Sequence, residues 1–152
     1  MQTKAINTGF NALVETMSRG MLTWEPVDTD YSSYEEMRQD YLATGVLKVN
    51  TDHSDYTIFG DPRTNWAFRA WHDTCHLLAD ADFSLEGEKK AADLQIKQMW
   101  AFMGKGSAVA PLFERLIHAE VVGQAEYFFE TGKYPENQYD WAVEYLRKTE
   151  KV

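Results

Sequence analysis

The sequence predicts a mainly α protein, a single-domain helical bundle with one small β-hairpin, and three observations lead to this prediction. Apolar residues recur at helical spacing in several long segments of the chain. Capping residues, prolines and glycines mark the ends of those segments. No repeat or change of composition divides residues 1–152, and a chain of 152 residues can bury a substantial core as one domain.

Six helices are expected from the apolar periodicity and the capping signals. They cover about residues 3–18, 33–43, 62–79, 84–103 and 108–130, with a last helix around residues 139–146. The third, fourth and fifth of these helices should form the central bundle, and the last helix should pack across it.

The helix at residues 62–79 has the clearest start. Asp61 is a helix N-cap residue, and Pro62 fits the first helical position, where its missing N–H costs nothing. Ser33 and Glu36 form a capping box for the second helix. Local signals therefore place these helix starts without any knowledge of the tertiary fold.

Two β-rich runs lie on either side of the polar stretch TDHSD, namely VLKVN at residues 46–50 and DYTIF at residues 55–59. Paired runs with a turn-forming connection are typical of a β-hairpin. We therefore expect a hairpin near residues 46–59, preceded at residues 21–31 by an ordered surface loop.

The helical periodicity assigns a set of large apolar residues to the core of the bundle. They are Phe68, Cys75, Leu94, Trp100, Leu116, Val121 and Phe128. Cys75 is the single cysteine, which excludes an intramolecular disulfide. Because it lies within an aromatic helix and has no basic neighbour in sequence, we expect a buried and unreactive thiol.

The formal net charge of −9 limits the classes of partner. A nucleic-acid groove needs clustered lysines and arginines, so the composition argues against a nucleic-acid partner. Partners should instead be basic or carry a metal. No apolar run approaches the length that spans a bilayer, and the first residues lack the apolar segment of a secretory signal. We therefore expect no membrane partner and a cytoplasmic protein.

A polar stripe on the predicted helix at residues 62–79 carries the candidate site. His72 and His76 are one helical turn apart, and Asn65 and Arg69 share their face. Two histidines at this spacing can supply two ligands to one divalent metal from a single helix. The alternative is hydrogen-bonded structure, which is the commoner role of partly buried histidines.

A carboxylate is expected beside the histidine pair. If the two helices that flank the following turn form an antiparallel hairpin, residues equidistant from the turn lie level. Glu88 then faces His76, and Ala92 or Asp93 faces His72. Asp73, directly after His72 in the chain, is a further candidate.

A third histidine is expected to join from the helix at residues 108–130. His118 lies in an apolar stripe of that helix, and counting from the preceding turn puts it level with Asp93. Three histidines with a carboxylate from Glu88, Asp73 or Asp93 would suit a divalent Zn, Mn or Fe ion. The metal ligands of first choice are His72, His76, His118 and Glu88.

With an open coordination position, such a site predicts a metal-dependent hydrolase. Asp73 or Glu88 would take the proton from water. Arg69 would hold an anionic small molecule or nucleotide, for example a phosphorylated one, although an arginine on a helix also commonly pairs with an aspartate. Asn65 could assist it.

Two further residues are less central to this site. His53 is expected at a loop tip, where histidines are usually solvated, but this loop could fold over the metal face. Glu120 lies on the opposite side of its helix from His118. Glu120 is therefore expected at the surface or in a second site.

The dipeptide His72-Asp73 on a helical background resembles the HD superfamily of metal-dependent phosphohydrolases. The resemblance implies that His53 upstream and Asp93 downstream complete the ligand set. More broadly, FGDPRTNWAFRAWHDTCHL followed by FSLEGE resembles a pattern in small, uncharacterised proteins of tailed phages. That second resemblance implies a phage protein in the host cytoplasm and implies no activity.

A second hypothesis belongs to another class, an acidic helical binding protein such as a phage-type inhibitor of a host or defence protein. The polar residues would then form a structural metal site or a buried network, and the aromatic residues, 14% of the chain, would make the interface. A carboxylate-rich di-iron bundle ranks last, because the paired ExxH motifs of such bundles are missing from the sequence.

Overall fold

The computed structural model of the chain describes residues 4–150 and confirms a mainly α fold. The elements in chain order are α1 (Thr8–Arg19), β1 (Trp24–Val27), α2 (Tyr34–Thr44), β2 (Leu47–Asn50), α3 (Pro62–Ala79), α4 (Leu85–Met103), α5 (Ala110–His118), a π-helical turn (Ala119–Gly123), α6 (Gln124–Thr131) and α7 (Gln138–Thr149). Within residues 4–150, none of these helices is both long enough and apolar enough to cross a bilayer.

The predicted caps are present at the helix starts. The Asp61 side chain accepts a hydrogen bond from the Arg63 N–H, and Pro62 occupies the first turn of α3. The Ser33 hydroxyl accepts from the Glu36 N–H at 3.1 Å, and the Ser84 hydroxyl accepts from the N–H at the third position of α4. These starts follow the sequence closely because each cap needs only three or four consecutive residues.

The predicted β-hairpin near residues 46–59 is wrong. Its first run does form β2, but β2 pairs in parallel with β1, from Trp24 opposite Leu47 to Val27 opposite Asn50. The partner strand thus lies in the segment expected to be a surface loop. A parallel pair needs a crossover of a dozen or more residues, and α2 supplies it.

The second β-rich run, residues 55–59, makes core contacts instead of a strand. Ile58 and Phe59 are fully buried. The Ile58 carbonyl accepts a hydrogen bond from the Ile6 N–H at 2.7 Å, and the Tyr56 carbonyl accepts from the Tyr139 N–H at 2.8 Å. Because these carbonyls already have partners, the run does not need a neighbouring strand.

An aromatic cluster forms the centre of the core. The rings of Phe10, Phe59 and Phe68 contact one another with centroids 5.3 to 6.3 Å apart, and Phe113 of α5 contacts Phe10 at 5.4 Å. Such ring pairs stabilise a core by about 0.5–1.5 kcal/mol each beyond their buried area. The cluster therefore fixes α1, α3 and α5 against one another.

The predicted core residues divide into two groups. Phe68, Cys75, Leu116 and Val121 are buried in the main core, as predicted. The other three are only half-buried, with Leu94 and Trp100 packed against that core and Phe128 on the wall of the cavity described below.

The helix predicted as continuous at residues 108–130 contains the π-helical turn, which adds a residue between α5 and α6. This turn packs closely on α7. A Cβ atom at Gly123 would lie 2.9 Å from both the Trp141 and the Tyr145 ring. The close approach of α7 therefore requires glycine here.

The turn between α3 and α4 is equally tight at Gly87, next to Glu88. A Cβ atom at Gly87 would overlap the backbone carbonyl of Asp82. Since a backbone carbonyl in a tight turn cannot move aside freely, a side chain at this position would push the start of α4 away from α3.

We expect Gly87→Ala to lower the free energy of unfolding by about 3 kcal/mol, at the upper end of the usual cost of overpacking. Urea denaturation followed by circular dichroism measures this change. Gly106→Ala is the matched control, because no atom lies within 4 Å of its added Cβ. The control should stay within about 0.5 kcal/mol of the wild type, and equal effects of the two substitutions would contradict the prediction.

Candidate metal centre

Three side chains from α3 and α4 converge on one point. The His72 and His76 Nε2 atoms lie 3.0 Å apart. The Glu88 carboxylate contacts both rings, with Oε1 2.9 Å from His72 Nε2 and Oε2 3.3 Å from His76 Nε2. The contact predicted between Glu88 and the histidine pair is therefore present, and Glu88 reaches both histidines.

The three distances match the edges of a metal coordination polyhedron. Zinc lies about 2.0–2.2 Å from imidazole nitrogens and carboxylate oxygens, so two ligands of one ion at ordinary angles are roughly 3 Å apart. The observed separations of 2.9, 3.0 and 3.3 Å fall around that value. The site has the dimensions to hold one ion with two imidazoles and one carboxylate.

The outer nitrogens of both rings are held by fixed acceptors. His76 Nδ1 lies 2.8 Å from the Ala81 carbonyl oxygen, which can only accept, so Nδ1 carries the proton. His72 Nδ1 lies 3.1 Å from the Gln95 Oε1 atom and donates to it in the same way. This is the usual arrangement around metal-ligating histidines, whose second N–H donates to a carbonyl or amide oxygen.

The hydrogen bonds of the Nδ1 atoms determine the protonation of the Nε2 atoms, which face the centre of the site. A neutral imidazole that is protonated at Nδ1 has a lone pair at Nε2. Lone pairs from His72 and His76 therefore meet each other and the Glu88 carboxylate. His76 is fully buried and the His72 and Glu88 side chains are only 14% and 17% exposed, so a cation at the centre, either a proton or a metal ion, stabilises this group of ligand atoms.

The electrostatics of the site show how strongly it attracts positive charge. Burial alone would lower the pKa of His72, but the hydrogen bond and charge of Glu88 outweigh it and raise that pKa. Burial opposes ionisation of Glu88, yet the two histidines lower its pKa to about 2. The carboxylate is thus ionised at neutral pH and available to a cation.

Asp73 brings a further carboxylate to the pair. His72, Asp73 and His76 each offer one ligand atom, and these atoms lie within 4.8 Å of one another. Burial raises the pKa of Asp73, against the opposing charges of the two histidines. This group of three could hold a metal ion, and Asp73 is placed to accept a proton beside it.

The site opens into a cavity of about 520 Å³ between α3 and the α5–α6 segment. His72, Asp73, His76 and Glu88 all contribute to its wall. Small-molecule sites generally have volumes of about 300–1,000 Å³. The cavity therefore has the volume of a small-molecule site and places four ligand-type side chains in its wall.

Glu120 also lines this cavity, from the π-helical turn. Burial raises the pKa of its carboxyl to about 8, although a hydrogen bond from the Gln124 amide at 3.2 Å opposes the shift. A carboxyl group with a pKa in this range can exchange protons at neutral pH. The sequence left Glu120 as a surface or second-site residue, and the structure places it in the cavity wall.

Arg69 lies in the cavity wall, and its donors are partly engaged. Its Nη1 donates to the Asn50 carbonyl at 2.7 Å, and its Nη2 is 3.3 Å from the His53 carbonyl. Burial lowers the pKa of this guanidinium. Arg69 thus ties the segment after β2 to α3, whereas the sequence suggested a clamp for an anion.

Two further candidate residues, His53 and Asn65, line the cavity without joining the three converging groups. His53 is exposed at the rim and has a positive φ of 56°. Asn65 is buried, and its amide donates to the Ser54 hydroxyl at 2.9 Å. Both residues are part of the cavity wall.

The predicted convergence of three histidines is wrong for His118. This residue is exposed, and its Nδ1 lies 2.9 Å from the Tyr145 hydroxyl of α7. It does not line the cavity. Glu120 does, because residues two apart on a helix point in nearly opposite directions.

Asp93 is also exposed and makes no contribution to the site. Gln95, fully buried two residues further along α4, is the residue that contacts His72. The only sequence signal for Gln95 was its place one turn beyond Ala91 on the buried face of α4. The ligand set implied by the HD resemblance, with Asp93 and His53, is therefore not assembled.

Comparisons of the chain with protein-family models, curated proteins and solved structures find no match. The resemblances to the HD superfamily and to tailed-phage proteins stay predictions.

Cys75 lies in α3 between the two histidines but is enclosed by the core and fully buried. Its thiol lies 3.3 Å from the Gln98 Oε1 atom. Burial, assisted by the charge of Asp73, raises the pKa of the thiol to about 12. The thiolate that reacts with electrophiles is therefore scarce at neutral pH.

We expect the native protein at pH 8 to react with a disulfide reagent such as DTNB at least about 100 times more slowly than the unfolded chain, in which the thiol has its ordinary pKa. Release of the coloured thiolate with and without 6 M guanidinium measures the ratio. Similar rates in the two conditions would show that the thiol is accessible in the native state.

Proposed function

We propose that the protein is a metal-dependent hydrolase that acts on a small molecule in the cavity beside His72, His76 and Glu88. The observation that carries this proposal is the convergence of two Nε2 lone pairs and one ionised carboxylate. Two histidines and one carboxylate are the ligands of several catalytic zinc sites and of open iron sites. Zinc, manganese or iron would fit this donor set.

The ligands occupy only part of a coordination sphere. Three protein donors leave at least one position of a four- or six-coordinate ion, and the site opens toward the cavity rather than into the core. A divalent ion in such a position acts as a Lewis acid and lowers the pKa of water toward neutrality. This is the chemistry that hydrolysis needs.

Asp73 is the best-placed base. In the H-E-x-x-H motif of zinc hydrolases, the acid after the first histidine accepts the proton from water. Here the order is His72, Asp73 and, three residues on, His76. The aspartate is one methylene shorter, and its carboxylate lies within 4.8 Å of ligand atoms on both rings.

A second function uses the same residues without a metal. The raised pKa of His72 and the lowered pKa of Glu88 allow a proton to hold the cluster together as a buried ion pair. Phe129 and Tyr134 are 53% and 55% exposed at the cavity. In this case the protein is an acidic helical binding protein, and these aromatic residues contribute to the interface.

We expect the wild type to bind about one equivalent of Zn²⁺ or Co²⁺. The His72→Ala variant should lose at least about 100-fold in metal affinity, because mutating a residue that only hydrogen-bonds to a metal ligand already costs about 10–100-fold. Titration calorimetry and the absorption of bound Co²⁺ measure this. His118→Ala is the matched control, because His118 is exposed and distant from the cavity.

The control variant should bind metal as the wild type does, and circular dichroism should show that His72→Ala keeps its helices. Equal binding by the His72→Ala and His118→Ala variants, or no binding by the wild type, would favour the acidic binding protein. His72→Gln provides a second test that better preserves the packing of α3.

Asp73→Asn should separate catalysis from metal binding. The assay is the hydrolysis of a simple chromogenic ester, p-nitrophenyl acetate, by the zinc-loaded protein. The kcat of the Asp73→Asn variant should be about 10²–10⁴-fold below that of the wild type, because the asparagine amide cannot accept the proton from water. KM and zinc affinity should change by less than about threefold. A loss of zinc affinity with unchanged kcat would instead make Asp73 a metal ligand.

A further inference from the structure

The wall of the cavity carries a strong excess of acidic groups. Its carboxylates come from five different segments of the chain, and they are Asp30, Asp52, Asp73, Glu88 and Glu120. Among the cavity-lining residues in the described part of the chain, Arg69 is the only lysine or arginine. These five acidic side chains outnumber the single arginine, so the wall favours positively charged groups over anions.

An anionic substrate would find few free donors there. Two N–H groups of Arg69 are directed at the carbonyls of Asn50 and His53. A phosphate needs converging cations or backbone N–H groups to offset its charge. We therefore replace the expectation of a phosphorylated substrate with that of a positively charged one.

Aromatic rings make up much of the remaining wall. They are Tyr31, Phe68, Phe83, Phe128, Phe129 and Tyr134. Phe128 and Tyr134 stack with centroids 4.6 Å apart, and Phe128 also contacts Phe129 edge-on at 5.6 Å. Ring faces attract organic cations by about 0.5–2 kcal/mol each. Acidic groups together with such rings are the combination that recognises an ammonium or guanidinium group.

Glu120 is the carboxyl group best placed to bind that charge, because a cation beside it favours loss of its proton and so stabilises the carboxylate. It lies on the π-helical turn, on the wall opposite α3, whereas Asp73 and Glu88 belong to the metal centre. Its one side-chain hydrogen bond in the described residues is from the Gln124 amide, a neutral donor. Arg69 acts on it only through its charge, and no lysine or arginine forms an ion pair with it in the described residues. A cationic ligand would supply the missing partner.

We propose that the substrate of this cavity is a small organic cation, an amine or guanidinium compound whose charged group is held by Glu120 and the aromatic rings. Its uncharged end then faces His72, His76 and Glu88, where the bond to be hydrolysed lies. That the uncharged end is hydrolysed at the metal centre rests on the proposed function. The recognition of the cation depends only on the cavity wall.

Matched probes test the charge preference directly. Butylammonium, 1-butanol and butyl phosphate share one alkyl chain and differ in charge, and each is titrated into the zinc-loaded and the zinc-free full chain at pH 7.5. Shifts of backbone amide resonances in ¹H–¹⁵N NMR spectra report binding and its location. Butylammonium should bind at least about 10 times more tightly than butanol, with shifts at the cavity residues.

Glu120→Gln should weaken butylammonium binding at least about 10-fold and leave zinc affinity unchanged. Glu126→Gln is the matched control, because Glu126 is exposed on the adjoining helix α6, and it should bind butylammonium as the wild type does. Tighter binding of butyl phosphate, no binding of any probe, or equal effects of the two substitutions would overturn the cation proposal.

The same titrations keep this proposal separate from the proposed function. If zinc fails to bind but butylammonium still binds and depends on Glu120, the hydrolase proposal fails and cation recognition stands. If zinc binds and requires His72 while butylammonium does not bind, the metal centre stands and the cation proposal is overturned.

Discussion

The contact of the Glu88 carboxylate with the Nε2 atoms of His72 and His76 constrains the rest of the site. These three ligand-type groups, largely shielded from water, lie within 3.3 Å of one another and repel unless a cation lies among them. The surrounding structure holds them there, through the Ala81 carbonyl and the Gln95 amide on the outer nitrogens. The three groups stay close together despite their mutual repulsion because the α3–α4 hairpin is anchored in the aromatic core, which fixes both helices.

Different contacts hold the two sides of the cavity. On the side of the metal centre, α3 and α4 share the core and meet at the close approach of Gly87 to Asp82. On the other side, the π-helical turn brings Glu120 to the cavity, and α7 holds that turn through the rings packed on Gly123. Because π-helical turns insert one residue, they redirect side chains, which is how the Glu120 carboxyl group reaches a wall whose other members from this segment are Val121, Gln124, Ala125, Phe128 and Phe129.

The distribution of charge connects metal binding with substrate choice. A cavity with several carboxylates attracts cations of any kind, so the ligand geometry must distinguish a metal from an ammonium group. The histidine nitrogens beside Glu88 favour a metal, since imidazole is a strong ligand for borderline ions. Glu120, with only an amide beside it and aromatic rings nearby, favours an organic cation. Two cation sites of different chemistry can therefore occupy one cavity.

The sequence by itself determined the helices, their caps and the pairing of Glu88 with the two histidines, because all of these depend on spacing along one helix or on equal distance from one turn. Only the tertiary structure decided the rest. β2 pairs with a strand about 23 residues earlier, across a helix, and no local pattern specifies such a parallel partner. The exclusion of His118 and the inclusion of Glu120 depend on how α5 is rotated about its axis. That rotation is set by packing against α4 and α7 and by the π-helical turn, and these are contacts between segments distant in the chain.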